Sequence, residues 1–254
     1  MGKKCAFLFL VISLNLVIAK PPVLEDTHQR SIIQPNNLQP IEVVSGTPFY
    51  EFSMSVARVE AHGGGFCSSF KVGPDLFMTN WHCSTFMPCN ETQFHLGYAP
   101  KIPKEEQSQN RCSEILATSD TYDYALYRVD AKSTQLKNYP ISTLYNGDLY
   151  KDQALIHPSF AGTFTFQIDQ SPQCKVVDPI PSIVNKRVSF DHSCDTMGGS
   201  SGSPILDRKT GFVVALHWGG AERSSFNQAI RMKDVLADLK IKAPQSYAEL
   251  QIQN

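Results

Sequence analysis

Excess charge of either sign is nearly absent: 23 Lys and Arg stand against 24 Asp and Glu in 254 residues, a formal net charge of -1. Such a chain presents no overall basic field, which argues against nucleic acid or an anionic membrane surface as its partner. With 15 glycines and 16 prolines, near ordinary usage, neither a collagen-like nor a low-complexity disordered chain is indicated. There is no internal repeat, no run of like charges and no second apolar stretch of membrane-spanning length. Cysteines in paired Cys-x-x-Cys or Cys-His ligand spacing are also missing, which sets aside a structural metal and metal catalysis. What is present is a 42% hydrophobic chain, long enough for one large domain or two of about 100 residues each.

The first residues read as a processing signal. Lys3 and Lys4 precede the apolar run Cys5 to Ala19, and Lys20, Pro21 and Pro22 follow at once. The run is too short and too N-terminal for a comfortable membrane span and ends in a small residue, so residues 1–19 are expected to be a cleaved secretory signal rather than a buried helix or an anchor. The mature protein is then secreted, extracellular or periplasmic, with no membrane attachment. Of seven cysteines, Cys5 leaves with the signal. The even set of six, Cys67, Cys83, Cys89, Cys112, Cys174 and Cys194, is what a disulfide framework in an exported protein needs.

From Lys20 to Gln39 the chain is polar and Pro-rich, with no sustained apolar period. Beyond it come short β-branched or alternating runs: Phe52–Val59, Gly65–Val72, Leu76–Thr79, Tyr124–Val129, Phe164–Ile168 and Gly211–His217, punctuated by Gly, Pro and Asn146-Gly147. Many short strands of this kind predict an all-β barrel or sandwich. The polar stretch Ala131–Tyr139 is the expected connection between two β units of similar size. Arg231–Lys240 has helical period, with Met232, Val235, Leu236 and Leu239 on one stripe, and predicts a C-terminal packing helix.

Three local patterns carry chemistry: Thr79-Asn80-Trp81-His82-Cys83, then Asp123-Tyr124-Ala125-Leu126, then Gly198-Gly199-Ser200-Ser201-Gly202-Ser203-Pro204. Singly, each has a bland explanation as a packed His, a turn Asp and a Gly/Ser loop. Together they supply what nucleophilic acyl transfer needs: a hydroxyl, a base for its proton and a carboxylate to orient that base.

This arrangement, from roughly Ile32 to Lys240, resembles the chymotrypsin-like serine peptidases, and more closely their bacterial glutamyl endopeptidase (V8-like) branch. The resemblance implies two six-stranded antiparallel β-barrels, residues 32–135 carrying His82 and Asp123 and residues 136–254 carrying Ser201 and the helix. His82 would be the general base and acid, Asp123 its orienting partner and Ser201 the nucleophile, with the N–H groups of Gly199 and Ser201 as the oxyanion hole. It also implies a Cys67–Cys83 bridge pinning the loop of the catalytic His. Cys89–Cys112 and Cys174–Cys194 are the simplest remaining pairs, although four cysteines allow three connectivities. Ser200 departs from the chymotrypsin pattern, in which an acidic residue precedes the nucleophile and pairs with a newly made N-terminal amine. No cofactor is implied, the partners are protein or peptide substrates, and a monomer is expected.

For specificity the resemblance points to Ala215-Leu216-His217-Trp218-Gly219-Gly220 as a pocket wall, with His217 and Thr196 binding a glutamate side chain, Asp being the weaker choice. A His donor and a hydroxyl donor suit a carboxylate. The alternative is trypsin-like cleavage after Arg or Lys through Asp195, six residues before Ser201. Two other readings compete with proteolysis itself: an esterase with Ser200 as an elbow nucleophile and His62–Gly65 as its oxyanion motif, and a protease-fold binding protein that has lost catalysis. The first has its triad order wrong for an α/β-hydrolase, and the second would show a substituted triad position, whereas all three are intact. Finally, Ile32 to Asn37 resembles the mature N-terminus of the V8-like enzymes, so residues 20–31 are expected to be a pro-segment cut at or just after Arg30, freeing an amine that completes the substrate pocket.

Overall fold

The computed structural model describes residues 32–33, 35–61, 65–162, 165–220 and 225–254. The expected signal, residues 1–19, and pro-segment, residues 20–31, lie outside the described residues, as do His62, Gly63 and Gly64. The first strand and α-helix among the described residues are β1 (Gln39–Pro40) and α1 (Pro48–Ser53). Six strands follow: β2 (Val56–Ala61), β3 (Phe66–Lys71), β4 (Leu76–Thr79), β5 (Thr92–Leu96), β6 (Ser108–Ser119) and β7 (Tyr124–Val129), with helix α2 (Trp81–Ser84) between β4 and β5. These six close into an antiparallel barrel in the order β2-β3-β4-β7-β6-β5.

Burial on both faces explains why β4 and most of β7 read as apolar runs rather than as one-sided ribbons. In β4, Leu76 and Met78 face the core shared with the second half of the chain, while Phe77 fills the barrel. In β7, Tyr124 and Leu126 take the shared core, and Ala125, Tyr127 and Val129 the interior. A strand buried on both faces needs hydrophobic residues at every position. Phe52, expected to begin a strand, lies instead in α1, where Pro48 supplies a preset φ at the first turn after the extended Thr47.

The second half comprises β8 (Leu144–Tyr145), β9 (Leu155–Ser159), β10 (Gln167–Asp169), β11 (Val176–Val184), β12 (Arg187–His192), β13 (Pro204–Asp207), β14 (Val213–Gly220), β15 (Asn227–Arg231) and β16 (Ile252–Gln253). A ten-stranded sheet runs β1-β10-β9-β13-β14-β15-β12-β11, with β8 and β16 attached in parallel beside β14. An isolated bridge, Ala154 to Lys175, with Leu155 N donating to Cys174 O at 2.9 Å and Val176 N to Gln153 O at 3.0 Å, brings the start of β11 back to the start of β9. Leu155, Ile205 and Ala229 point into this unit, while Ile156, Leu206 and Ile230 join the shared core.

Helix α3 (Met232–Lys242) buries Met232, Val235, Leu236 and Leu239 against that shared core. It also reaches the first barrel, where the Tyr124 hydroxyl donates to Asp238 at 2.8 Å. Between the units, the buried Lys71 ammonium donates to the carbonyls of Leu136 at 2.8 Å and Tyr139 at 2.9 Å, fixing the connecting segment. Three disulfides form, Cys67–Cys83, Cys89–Cys112 and Cys174–Cys194. The first, closing a separation of 16 residues, contributes about 3 kcal/mol in the chain-entropy model. Among the described residues no helix is long and apolar enough to cross a membrane.

Candidate active site

His82 sits in the single turn of α2, which leaves β4 at Asn80, while Asp123 occupies the turn entering β7. Because β4 and β7 are paired, with Thr79 opposite Ala125, the two turns meet at one end of the barrel. Asp123 is fully buried with a left-handed φ of 40°, a conformation that Asp tolerates better than most residues. The Asn80 side chain donates to its carbonyl at 2.8 Å. Its carboxylate accepts the His82 amide at 2.9 Å and faces His82 Nδ1 at 2.8 Å. An ionised carboxylate can only accept, so the imidazole proton facing it is held on Nδ1.

Ser201 arrives from the other half of the chain, in the turn before β13. Its carbonyl accepts from Ser68 N at 2.8 Å and its hydroxyl points to Trp218 O at 3.3 Å. Gly202 brings this turn hard against the His82 segment: a Cβ there would lie 2.3 Å from Ser68 O and 3.1 Å from Asn80 N, and its φ is +83°. Gly199, with φ +90°, is equally obligatory, since a Cβ would meet Phe160 O at 2.5 Å.

The peptide groups of this turn are oriented one by one. Gly198 O accepts from Gly162 N at 2.6 Å, and Ser200 O from Ser203 N at 3.0 Å. Ser200 N donates to Met197 O at 3.0 Å and Gly202 N to His217 O at 2.9 Å. The N–H groups of Gly199 and Ser201 have no acceptor among the described residues. Two free amides separated by one residue, beside a hydroxyl, form an arrangement that can stabilise an oxyanion.

Ser200 is fully buried, its hydroxyl 3.1 Å from that of Ser159 and accepting from Met197 N at 3.2 Å. It is therefore not an exposed elbow nucleophile. Asp195 is likewise fully buried: Ile33 N donates to one oxygen at 2.5 Å, and Asn37 N and Nδ2 to the other at 2.7 and 3.0 Å. Both oxygens of Asp195, the possible acceptor for a basic substrate side chain, thus already hold donors from Ile33 and Asn37.

His217 and Thr196 are 2% and 3% exposed, and Gly219 faces open space with nothing within 4 Å of a built Cβ. His217 does not stand alone. Its Nδ1 lies 3.2 Å from His192 Nε2, and its ring centroid 5.2 Å from that of His157. Burial first, then neighbouring His157, His192 and His82, holds His217 well below the ordinary imidazole range. Burial and His157 do the same to His192, and burial lowers His157 to about 4. His157 in turn reaches Ser203 Oγ at 2.6 Å, behind the Ser201 turn.

Sequence reasoning missed His157 and His192, which are far from any local motif and meet His217 through three different strands. It also missed Arg187, whose Nε lies 2.9 Å from Asp123 Oδ2 as an ion-pair contact while its guanidinium covers the Trp218 ring at 4.6 Å. Ligand atoms of Cys67, His82 and Cys83 lie within 4.8 Å of one another, but both sulfurs are joined in the disulfide.

A family model described as a trypsin-like peptidase domain matches residues 63–216. No curated protein matches the chain. Among solved structures, a Glu endopeptidase in complex with MPD is similar with a TM-score of 0.64 and 14% identity, over 86% of this chain and 99% of that one. The inactive form of the protease Rv3671c has a TM-score of 0.62 and 15% identity, over 79% and 95%. Deg5 has a TM-score of 0.58 and 18% identity, over 76% and 91%.

Proposed function

Because the chain belongs to the trypsin-like peptidase family and is a serine endopeptidase, we propose that it is exported and cleaves proteins or peptides through Ser201, His82 and Asp123, preferring Glu and then Asp before the scissile bond. The observation that carries this reading is the His82–Asp123 contact at 2.8 Å beside a turn that leaves the Gly199 and Ser201 amides free. Ser201 Oγ attacks the scissile carbonyl while its proton passes to His82 Nε2, and Gly199 N and Ser201 N receive the developing oxyanion. The C–N bond then breaks as His82 returns the proton to the leaving amine, and an ester remains on Ser201. Water, deprotonated by His82, releases the acid and restores the hydroxyl. Asp123 holds the Nδ1 tautomer throughout.

We read the second unit as a six-stranded barrel, β9-β13-β14-β15-β12-β11, closed by the Ala154 to Lys175 bridge, and place the boundary between units in 131–139. Preference for Glu is supported by His217, Thr196 and the open space at Gly219. Trypsin-like cleavage is disfavoured because Asp195 is engaged by Ile33 and Asn37. That same engagement supports the maturation scheme: residues 1–19 direct export, residues 20–31 are removed, and the new end at Ile32 starts one residue before a segment already docked beside the pocket.

A fluorophosphonate probe is expected to label the wild type and the Ser200→Ala variant, and to leave Ser201→Ala unlabelled and without proteolysis. A peptide library read by mass spectrometry is expected to show cuts after Glu, with fewer after Asp. Labelling that persists in Ser201→Ala overturns the nucleophile, and cuts confined to Arg and Lys overturn the specificity.

A further inference from the structure

Ser68 follows Cys67 in β3 and belongs to the first barrel, yet every polar atom it directs across the cleft meets the nucleophile turn or its support. Its amide donates to Ser201 O at 2.8 Å. Its hydroxyl donates to Gly199 O at 2.9 Å and accepts from Phe160 N at 2.9 Å. The residue is fully buried, so these bonds have no competing water. We propose that Ser68 is a positioning residue whose hydroxyl, by holding the Gly199 carbonyl, keeps the Gly199 oxyanion donor in register with that of Ser201; this rests on Ser201 being the nucleophile.

In a planar trans peptide the carbonyl and the following N–H point in opposite directions, so holding a carbonyl aims the next amide. Gly199 lies between two such restraints, Gly162 N on the Gly198 carbonyl and the Ser68 hydroxyl on its own carbonyl. A glycine at φ +90° has no Cβ to keep it there, so its orientation depends on those restraints. Ser201, the other donor, is held by the Ser68 amide. By the same rule the Gly198 carbonyl aims the Gly199 amide and the Ser200 carbonyl, held by Ser203 N at 3.0 Å, aims that of Ser201, while Ser68 places the two residues themselves, Gly199 by its side chain and Ser201 by its main chain. Removing the hydroxyl keeps the second reference and loses the first, and leaves Gly199 O and Phe160 N without their partner. A transition-state oxyanion demands that alignment far more than the ground-state carbonyl does.

The test compares Ser68→Ala and Ser68→Thr with wild type on its best peptide substrate, whatever residue precedes the cut. Inhibition by the matching peptide aldehyde, whose hemiacetal oxygen occupies the hole, is measured beside the matching peptide alcohol, which forms no adduct. Ser68→Ala is expected to lose about 10- to 100-fold in kcat, the scale of an ångström-sized misplacement, with KM changed less than about twofold. Aldehyde affinity falls in step with kcat and alcohol affinity stays constant, and Ser68→Thr recovers most of both losses. If Ser68→Ala does not fold, Ser68→Gly and Ser68→Cys carry the same comparison, with Cys, a weaker donor, intermediate between Gly and Ser. Unchanged kcat in a folded hydroxyl-free variant overturns the proposal, as does equal loss of aldehyde and alcohol binding, or Thr and Cys variants no better than Ala and Gly. The Ser201→Ala variant separates the two readings. If it remains active the proposed function fails, whereas its inactivity together with normal Ser68→Ala turnover removes the role of Ser68 alone.

Discussion

Asp123, fully buried, receives three groups on its carboxylate: the His82 amide, the His82 ring and the Arg187 guanidinium. Its left-handed backbone is compatible with a turn that aims the side chain back at α2 instead of along β7. Asp123→Asn keeps the size and most of the packing but places an amide opposite Nδ1, where an NH2 group favours the wrong imidazole tautomer. Turnover is expected to fall by about 10⁴-fold with the fold retained, measured as kcat together with the circular dichroism spectrum. Undiminished kcat would remove Asp123 from the machinery. The Asp stood out in the sequence only in company with the His82 and Ser201 patterns, whose order resembles that of the chymotrypsin-like peptidases. Arg187 did not stand out, since its pairing depends on the β11–β12 hairpin bringing a residue 64 positions away to the same carboxylate.

At the scale of elements, the histidine row crosses β9, β12 and β14. Strands were legible where both faces are largely apolar, as in Leu76–Thr79 and Tyr124–Val129, because burial on two sides leaves few polar interruptions. The row was illegible for the converse reason: a single His within an apolar strand has no local periodicity to mark it. His217 is held neutral mainly by burial, and a carboxylate bound beside it reverses that by favouring the imidazolium. On the proposed preference, binding a Glu side chain there would take up a proton. KM for a Glu substrate is then expected to rise with pH, while KM for a substrate with a neutral residue at that place stays flat. His217→Ala is expected to abolish both the preference and its pH dependence. A preference that survives in His217→Ala would assign the pocket to other residues.

For the whole molecule, the same buried imidazoles link stability to pH. His157 is lowered from 6.5 to about 4, with burial the largest cause. Between those values the unfolded chain binds a proton that the folded chain does not. Stability is thus complete above about pH 6.5 and declines as pH falls towards 4, by up to about 1.4 kcal/mol per pH unit for this one group. His192 and His217 are shifted in the same direction and steepen the loss. Thermal unfolding is expected to show Tm falling steadily from pH 7 to pH 5, with a shallower slope in His157→Gln. A Tm independent of pH across that interval would contradict neutral burial of the row.

The sequence by itself determined the β-rich class, the C-terminal packing helix and the ordered placement of His82, Asp123 and Ser201, because each depends on local chemistry: strand alternation, a stripe at helical spacing, residue types in a fixed order. Tertiary structure decided what those residues meet. It tied Asp195 to Ile33 and Asn37, buried Ser200, selected Cys89–Cys112 and Cys174–Cys194, and joined Ser68 of the first barrel to Gly199 across the cleft. The physical reason is the same in each case. A carboxylate, hydroxyl or thiol has many partners open to it in the unfolded chain, and which ones it keeps is fixed only when packing two β units against each other excludes water and leaves a few within reach.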